Sequence, residues 1–457
     1  MSNRVMTIAL AMFTIGAAAR AQQSLVLRGV TVIDGTGRAP MAGRSVVITG
    51  GRISAIEAST AARPAGARVL DLAGRFVIPG LVDAHVHVTS PFEIPEQQDS
   101  MLAFLFDSGV TSVRDLAGDA IVLRERAQQA TAASLPSPRI YYSALMAGNE
   151  FVRTEPRAAP IAHGQVPGDA AWLRGLTETT DLSSAVAAAK QVGATGIKIY
   201  ADLSAAMVSR VVAEAHRQGM KAWSHAAVVP ARPSDAVAAG ADVISHISYL
   251  VYEGNDPMPA SVRLWRGMAD YAGLSVDAPA ITRLLQSMKE RGTIVDATLI
   301  QVNIAGARAE LDQSRPDLHP MRAWSFAVAR RAHAFGIPFV TGTDFMGRPA
   351  TDSVSYVHDE IELLVTQAGL SPVQAISAST LNGARAIGRE QDQGTIEVGK
   401  LADLVVLAAD PTVDIRNTRG ILYVIKAGRL HERTLSEHVR QLRESRRAST
   451  GGRVRGR

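Results

Sequence analysis

The chain has 457 residues, of which 47% are hydrophobic and 20% charged, and this balance excludes an intrinsically disordered protein. A chain of this length can hold one large domain and a smaller appended one. Because it contains no cysteine, disulfides, thiolate metal ligands and a lipid-modified cysteine are excluded. The formal net charge of +5 does not indicate a basic folded body, because arginines concentrate in the C-terminal tail.

Residues 1–21 have the features of an export signal. Arg4 precedes an apolar run from Val5 to Ala19, and the sequence Ala19-Arg20-Ala21 has the small-residue spacing that a signal peptidase accepts. A membrane anchor is the alternative, but the run is shorter than the roughly 20 apolar residues that span a bilayer. We therefore expect an exported protein, periplasmic or secreted, with no membrane association after the signal is cleaved.

Two β-rich segments flank a long central region. In residues 22–78, short β-rich runs alternate with turns such as Asp34-Gly35-Thr36-Gly37. A second β-rich group lies within residues 391–432. The two segments together predict a small β-sandwich domain formed by both ends of the folded chain.

The central region, residues 79–390, repeats a strand signal followed by an alanine-rich helical stretch. Parallel strands joined by helical crossovers are expected from this alternation, and eight such units close into a (β/α)₈ barrel of the α/β class. Long connections, 146–195 and 248–292, follow the third and sixth strands and are expected to shape the substrate pocket. The candidate strands are 81–88, 110–115, 140–145, 196–200, 221–226, 243–247, 294–299 and 339–344.

Four histidines lie where predicted barrel strands end. His85 and His87 end the first strand, and alternate residues of a strand face the same side, so both imidazoles can point at one ion. His225 and His246 end the fifth and sixth strands, one short βα unit apart. A single buried histidine is more often a core residue, but four at strand ends predict a metal site.

Asp344 and Lys198 carry the remaining chemistry of the predicted site. Asp344 ends the eighth strand and, near a metal-bound water, can act as ligand and general base; capping the next helix is the alternative. Lys198 is flanked by isoleucines on the fourth strand, so its ammonium would be poorly solvated and lose its proton. The neutral amine can add carbon dioxide to form a metal-bridging carbamate; a lysine paired with a barrel carboxylate is the alternative.

Taken together, these motifs resemble those of the amidohydrolase superfamily. The resemblance covers about residues 24–432, including 394–407, which is similar to the family's returning sheet-domain segment. Within the superfamily the chain looks most similar to the imidazolonepropionase-like and prolidase-like group, which includes Xaa-Pro dipeptidases, through residues 109–115, 197–199 and 358–380. The chain departs from this group at two places. Ser245 replaces a common glutamate, and residues 147–151 replace a glycine- and histidine-rich loop. Both departures concern the substrate pocket and not the metal ligands.

The resemblance implies a metal-dependent hydrolase with two divalent metals, for which zinc is the expected ion. One metal would be held by His85, His87, Asp344 and Lys198 as N6-carboxylysine, and the second by Lys198, His225 and His246. A hydroxide bridging the metals would attack the scissile carbonyl, and Asp344 would pass the proton to the leaving amine.

The expected substrate is a small amide or dipeptide, so the expected reaction cleaves a C–N bond in the manner of a dipeptidase or carboxypeptidase. A lactonase or phosphotriesterase on the same site is one alternative; a non-catalytic binding protein is another, although every expected ligand position is filled. Candidate substrate contacts, chosen from their positions, are Arg114 and Arg153 for a carboxylate and Tyr249, Tyr252, Trp265 and Phe345 for an apolar group.

The tail, residues 433–457, is predicted to be a helix followed by disorder. It carries six arginines between Arg443 and Arg457, with Glu444 as the acidic residue among them. We interpret it as a solvated basic terminus and expect no nucleic-acid partner; contact with an anionic surface is the alternative. The sequence leaves a homo-oligomer open.

Overall fold

The structure is a computed structural model that describes residues 24–89, 95–132, 136–267, 269–311, 318–346 and 354–432. The segment predicted to be an export signal and the basic tail lie outside these ranges, and the side chains of Trp265 and Phe345 lie outside the described part as well. Within the described ranges, no helix combines the length and apolar character needed to cross a membrane.

The strands and helices alternate through most of the chain. The strands are β1 (Leu25–Val32), β2 (Met41–Thr49), β3 (Arg52–Ala58), β4 (Arg68–Asp71), β5 (Phe76–Pro79), β6 (Leu81–His87), β7 (Val110–Asp115), β8 (Arg139–Gly148), β9 (Asp169–Ala170), β10 (Leu173–Leu176), β11 (Gly196–Ile199), β12 (Lys221–His225), β13 (Val243–Ser245), β14 (Ile294–Asp296), β15 (Phe339–Val340), β16 (Phe345–Met346), β17 (Leu404–Leu407), β18 (Ile421–Lys426) and β19 (Arg429–Glu432). The α-helices are α1 (Pro95–Asp107), α2 (Ala120–Ala132), α3 (Asn149–Thr154), α4 (Ala158–Ile161), α5 (Leu182–Gln191), α6 (Ala205–Arg217), α7 (Pro233–Ala239), α8 (Pro279–Arg291), α9 (Leu299–Leu311), α10 (Leu318–Ala334), α11 (Val357–Thr366), α12 (Pro372–Ala378) and α13 (Leu381–Ala386). Short 3₁₀ helices span Ile247–Gly254, Val262–Gly267 and Ile415–Arg419.

Both ends of the folded chain build one mixed sheet of eight strands. Its order is β19-β18-β17-β5-β1-β2-β3, and β4 pairs with β1. The sheet joins the two ends because β5 runs parallel to β1 and antiparallel to β17. Its core is aliphatic, with Leu27, Val46 and Leu404 fully buried.

The central region forms the barrel. Parallel strands follow the order β15-β14-β13-β12-β11-β8-β7-β6-β16, so β15 and β16, which belong to one segment, pair with opposite ends of the series. The eighth predicted strand is therefore split in two, because residues 341–344 cross from β14 to β6. Within this crossing, the Ala84 amide of β6 donates to the Thr341 carbonyl oxygen at 2.9 Å. The predicted α/β class, with a barrel and a smaller sheet domain, is confirmed.

The helix α6 shows why the sequence produces crossovers on the barrel's outer face. Ser204 begins the helix by accepting a hydrogen bond from the Met207 amide through its hydroxyl at 3.2 Å. The buried positions Met207, Val208, Val211, Val212 and Ala215 follow the helical period and pack on the strands. Burial of this one stripe holds the helix against the sheet and leaves its polar face in water.

The strands β13 and β14 end earlier than the sequence pattern predicts. Backbone φ angles of +70° at His246 and +49° at Thr298 turn the chain away directly after each strand. The left-handed conformation is costly for residues with a β-carbon, and it is found most often where a site imposes it. Both turns lie at the same end of the barrel as Asp344, whose φ is +51°.

Candidate metal centre

The six residues expected to ligate metals line a single cavity of about 260 Å³. His85 and His87 lie at the end of β6, Lys198 on β11 and His225 at the end of β12, while His246 and Asp344 follow β13 and β15. Because the strands are parallel, their carboxyl ends meet at one mouth of the barrel, and this places all six side chains together.

The closest group consists of His85, His87 and Asp344. One ligand atom from each lies within 4.8 Å of the others. The Nε2 atoms of His87 and His85 are 3.0 and 3.4 Å from the Asp344 Oδ1 atom. A zinc ion at about 2.0–2.2 Å from nitrogen and oxygen ligands brings those ligand atoms to about this separation. The donor set and its spacing therefore fit a divalent metal.

A second pair of imidazoles adjoins this group. The ring centroids of His225 and His246 are 4.7 Å apart, and those of His246 and His85 are 4.8 Å apart. The Nδ1 atom of His225 donates to the Ala227 carbonyl oxygen at 3.0 Å, and that of His246 lies 3.0 Å from the Thr298 Oγ1. Because these contacts occupy Nδ1 of each ring, Nε2 is the nitrogen available to bind a metal.

Burial keeps these two imidazoles neutral. Loss of hydration lowers the pKa of His225 to about 3, with Lys198 nearby adding to the effect. Burial also lowers the pKa of His246 well below its usual value. A metal ligand must offer a lone pair, so neutral imidazoles suit this role at neutral pH.

Lys198 is a buried amine that the surrounding protein leaves unsatisfied. Its exposed fraction is 1%, and its Nζ atom has no hydrogen-bond partner in the described part of the chain. Burial lowers the pKa of Lys198 to about 7 despite the carboxylates of Asp296 and Asp344. An orphaned amine of this kind costs free energy unless it meets a ligand or is modified.

The ionised form of Asp344 is strongly favoured. Burial opposes ionisation, but the neighbouring His85 and the hydrogen bond with His87 outweigh it and lower the pKa of Asp344 far below its usual range. A carboxylate can bind a cation or accept a proton from a bound water. Asp344 is therefore placed and charged for both roles.

Asp296 is a site residue that the sequence analysis missed. Its Oδ2 atom lies 2.6 Å from the His85 Nδ1 and 3.3 Å from the Arg114 Nη2, and the Ser245 hydroxyl donates to it at 2.9 Å. A carboxylate behind a ligating imidazole orients the ring and raises its basicity. Asp296 ends the apolar run of β14, the same signal that singled out Asp344.

Two further residues, Asp83 and Gly342, hold β6 against residues 341–344, the segment between β15 and β16. The Asp83 carboxylate accepts hydrogen bonds from the Thr343 amide and hydroxyl at 3.0 and 2.7 Å and from the His85 amide at 3.2 Å. Position 342 requires glycine because the Asp296 side chain approaches its backbone closely, and a β-carbon there would lie 2.1 Å from the Asp296 Oδ1. These contacts set the distance between His85 and Asp344.

We expect Asp296→Asn to weaken zinc binding about 10- to 100-fold, because the neutral amide orients His85 less strongly and leaves Arg114 without its buried counter-charge. Titration of the metal-free protein with zinc measures this effect. The matched control is Asp242→Asn, at the other end of β13, where the carboxylate binds Lys221 at 2.8 Å. Equal zinc affinity in wild type and Asp296→Asn would contradict the orienting role.

The connection between β8 and α5 covers the cavity, as the sequence predicts for residues 146–195. Its apolar side chains form much of the wall, and its polar contributors are Glu155 and Arg157. Tyr200 lines the cavity directly after β11, with its ring centroid 5.2 Å from that of His225. The apolar wall residues from the connection are Phe151, Val152, Ala158, Ile161 and Leu173.

The structure places both arginines expected to bind a carboxylate outside the described lining of the cavity. Arg114 is fully buried beneath the candidate metal ligands, where its Nη2 meets Asp296 and its guanidinium lies 5.0 Å from the Trp223 ring centroid. Arg153 is not among the described residues that line the cavity, and its Nη2 pairs with the Asp169 Oδ1 at 3.1 Å. Among the described residues that line the cavity, the arginine is Arg157.

Of the aromatic candidates, Tyr249 lines the cavity and stacks on His225 at 4.9 Å between ring centroids. Tyr252 is instead 2% exposed, outside the cavity wall, and packs with the core. The candidates Phe345 and Trp265 lie outside the described side chains.

Comparison with known proteins gives a match to the model of the Amidohydrolase family over residues 76–431. Among curated proteins, the imidazolonepropionase of Symbiobacterium thermophilum is 36% identical over 108 residues, covering 23% of this chain and 25% of that protein. The chain spans about a quarter of the length of the curated relatives that it matches first.

Solved structures share the fold over nearly the whole chain. A Xaa-Pro dipeptidase with methionine bound in its active site has a TM-score of 0.69 at 22% identity, covering 90% of this chain and 100% of that one. A prolidase in complex with N-methylphosphonate-L-proline also has a TM-score of 0.69 at 22% identity, with the same coverage of 90% and 100%. At these identities the likeness shows the fold.

Proposed function

Because the chain belongs to the Amidohydrolase family, we propose that it is a metal-dependent hydrolase that cleaves an amide or peptide C–N bond of a small substrate. The observation that carries the proposal is the convergence of His85, His87 and Asp344 within 4.8 Å at the barrel mouth. The cavity around them, about 260 Å³, lies just below the range of about 300–1,000 Å³ that holds drug-sized ligands and so suits a small substrate. The dipeptidase and prolidase among the structural neighbours support a dipeptide-like substrate.

We infer two metal positions in this cavity rather than one. His85, His87 and Asp344 would hold the first, and His225 and His246 the second, with Lys198 between them as its carbamate. The unpartnered Nζ of Lys198 supports this modification, since a neutral buried amine can add carbon dioxide and the product supplies two oxygen ligands. Zinc is the proposed ion because imidazole and carboxylate ligands suit it.

Metals bound there would supply Lewis acidity toward the scissile carbonyl and lower the pKa of water to near neutrality. Asp344 would accept a proton at its carboxylate and deliver it to the leaving nitrogen. Burial raises the pKa of Tyr200, so its hydroxyl keeps its proton and can donate a hydrogen bond to a substrate oxygen in the cavity. The covering connection would exclude bulk water from these groups.

The proposal is tested by assaying the zinc-loaded protein against N-acyl amino acids and dipeptides, with lactones and organophosphate triesters as comparison substrates. We expect the highest kcat/KM within the amide and dipeptide set, and chelation followed by zinc addition should remove and restore it. No turnover of any amide or dipeptide would refute the proposal. Faster turnover of lactones or triesters would replace it with the corresponding esterase activity.

A further inference from the structure

Arg157 introduces a fixed positive charge into the wall of the cavity. Its Nε atom donates to the Glu155 Oε1 at 2.6 Å, and its backbone amide donates to the same oxygen at 3.3 Å. The side chain is 43% exposed and lines the cavity. Glu155 therefore holds the Nε edge of the guanidinium, while the N–H groups of its two Nη atoms remain for Tyr200 and for a ligand.

Tyr200 connects this arginine to the metal ligands. The guanidinium of Arg157 interacts with the Tyr200 hydroxyl, and the Tyr200 ring lies 5.2 Å from the His225 ring between centroids. A single tyrosine side chain thus separates the cation from the imidazoles. A substrate whose scissile bond lies at the metal ligands would bring a group a few bonds further along to Arg157.

Glu155 does not cancel the positive charge of this wall. Arg263 lies close enough to Glu155 to help lower the pKa of its carboxyl, and it is held over the Phe151 ring at 5.7 Å from the centroid. Two guanidinium groups therefore share one carboxylate. Because the rest of the wall is apolar, the remaining positive charge of Arg157 is the feature of this wall that favours an anionic ligand group.

We propose that Arg157 determines substrate specificity by binding the free carboxylate of an amino acid released from an N-acyl amino acid or dipeptide. Glu155 is the positioning residue that aims the guanidinium. Arginine suits this role because its planar group binds both oxygens of a carboxylate. The inference rests on the proposed function, since the same cavity must hold the scissile bond, and it names the substrate class: small amides with a carboxylate on the leaving amine and apolar side chains.

A binding experiment on the metal-free protein tests Arg157 without relying on catalysis and without metal–carboxylate contacts. The probes are N-acetyl-L-leucine and N-acetyl-L-leucinamide, which differ at the carboxylate, and calorimetry measures both dissociation constants. We expect wild type to bind the acid at least about 10-fold more tightly than the amide, and Arg157→Gln to lose this preference. Equal affinities in wild type, or a preference that survives Arg157→Gln, would overturn the inference.

Kinetics of the zinc-loaded protein provide the second readout, using the best dipeptide of the substrate panel and its C-terminal carboxamide. Arg157→Gln should lower kcat/KM about 100-fold for the acid and less than about 3-fold for the carboxamide. Arg157→Lys should recover part of the loss, since it restores charge but not the planar donor pair. Arg153→Gln, an exposed arginine four residues earlier, is the matched control and should behave as wild type.

The outcomes separate the two proposals. If wild type turns over none of the panel, the proposed function fails, and the binding comparison alone decides the role of Arg157. If wild type is active but Arg157→Gln lowers turnover of the acid and of the carboxamide equally, Arg157 does not recognise the carboxylate. The hydrolase proposal then stands.

Discussion

Asp344→Asn is expected to lower kcat/KM by about 10⁴-fold, the largest effect of any single substitution considered for this chain. The asparagine keeps the shape of the side chain and one oxygen ligand but cannot accept a proton. The loss should therefore appear mainly in kcat, with KM changed little. Steady-state kinetics of the zinc-loaded variant, with its metal content measured in parallel, gives the result.

A control is needed because the Asp344 carboxylate also lies 3.0 Å from His87 and could matter only for structure. Asp392→Asn, in an exposed pair with Arg52, makes the same chemical change far from the cavity and should retain wild-type kinetics. If Asp344→Asn keeps its metals and more than about a tenth of wild-type kcat/KM, the residue is not the proton acceptor.

Lys198→Ala is expected to reduce bound metal from two ions to one and to lower kcat/KM at least about 10³-fold, equivalent to about 4 kcal/mol of transition-state stabilisation. The physical reason is that the proposed carbamate supplies an oxygen ligand to each metal, and alanine supplies neither. Metal analysis and kinetics measure the two effects. A crystal structure of the wild type with zinc would show density for the modified side chain.

The matched control for Lys198 lies on the neighbouring strand. Lys221 begins β12 at the opposite end of the barrel, where its Nζ pairs with Asp242 at 2.8 Å. Lys221→Ala should therefore leave metal content and kcat/KM unchanged, although it loses an ion pair. Two bound metals together with near-normal activity in Lys198→Ala would show that no bridging carbamate is needed.

The local pattern of the sequence was sufficient to predict the barrel, the family and the barrel strands that position most of the candidate ligands. These ligands are His85, His87, Lys198, His225 and His246. Strand periodicity and parallel pairing depend on nearby residues, so a histidine or carboxylate that ends an apolar run can be placed at the barrel mouth without coordinates. The family predicted from these motifs is confirmed by the match over residues 76–431. The split of the eighth strand could not be predicted, because it depends on closure against β6 and β14.

Only the tertiary structure decided which side chains reach the cavity. Asp296 joins His85 across 211 residues of sequence, and Arg114, which was expected to bind substrate, is buried against Asp296 behind this candidate metal ligand. Arg157 enters the cavity from the short turn between α3 and α4, two brief helices of the connection between β8 and α5. Side-chain direction in such a segment is set by distant packing and pairing partners, and these are defined only when the chain has folded.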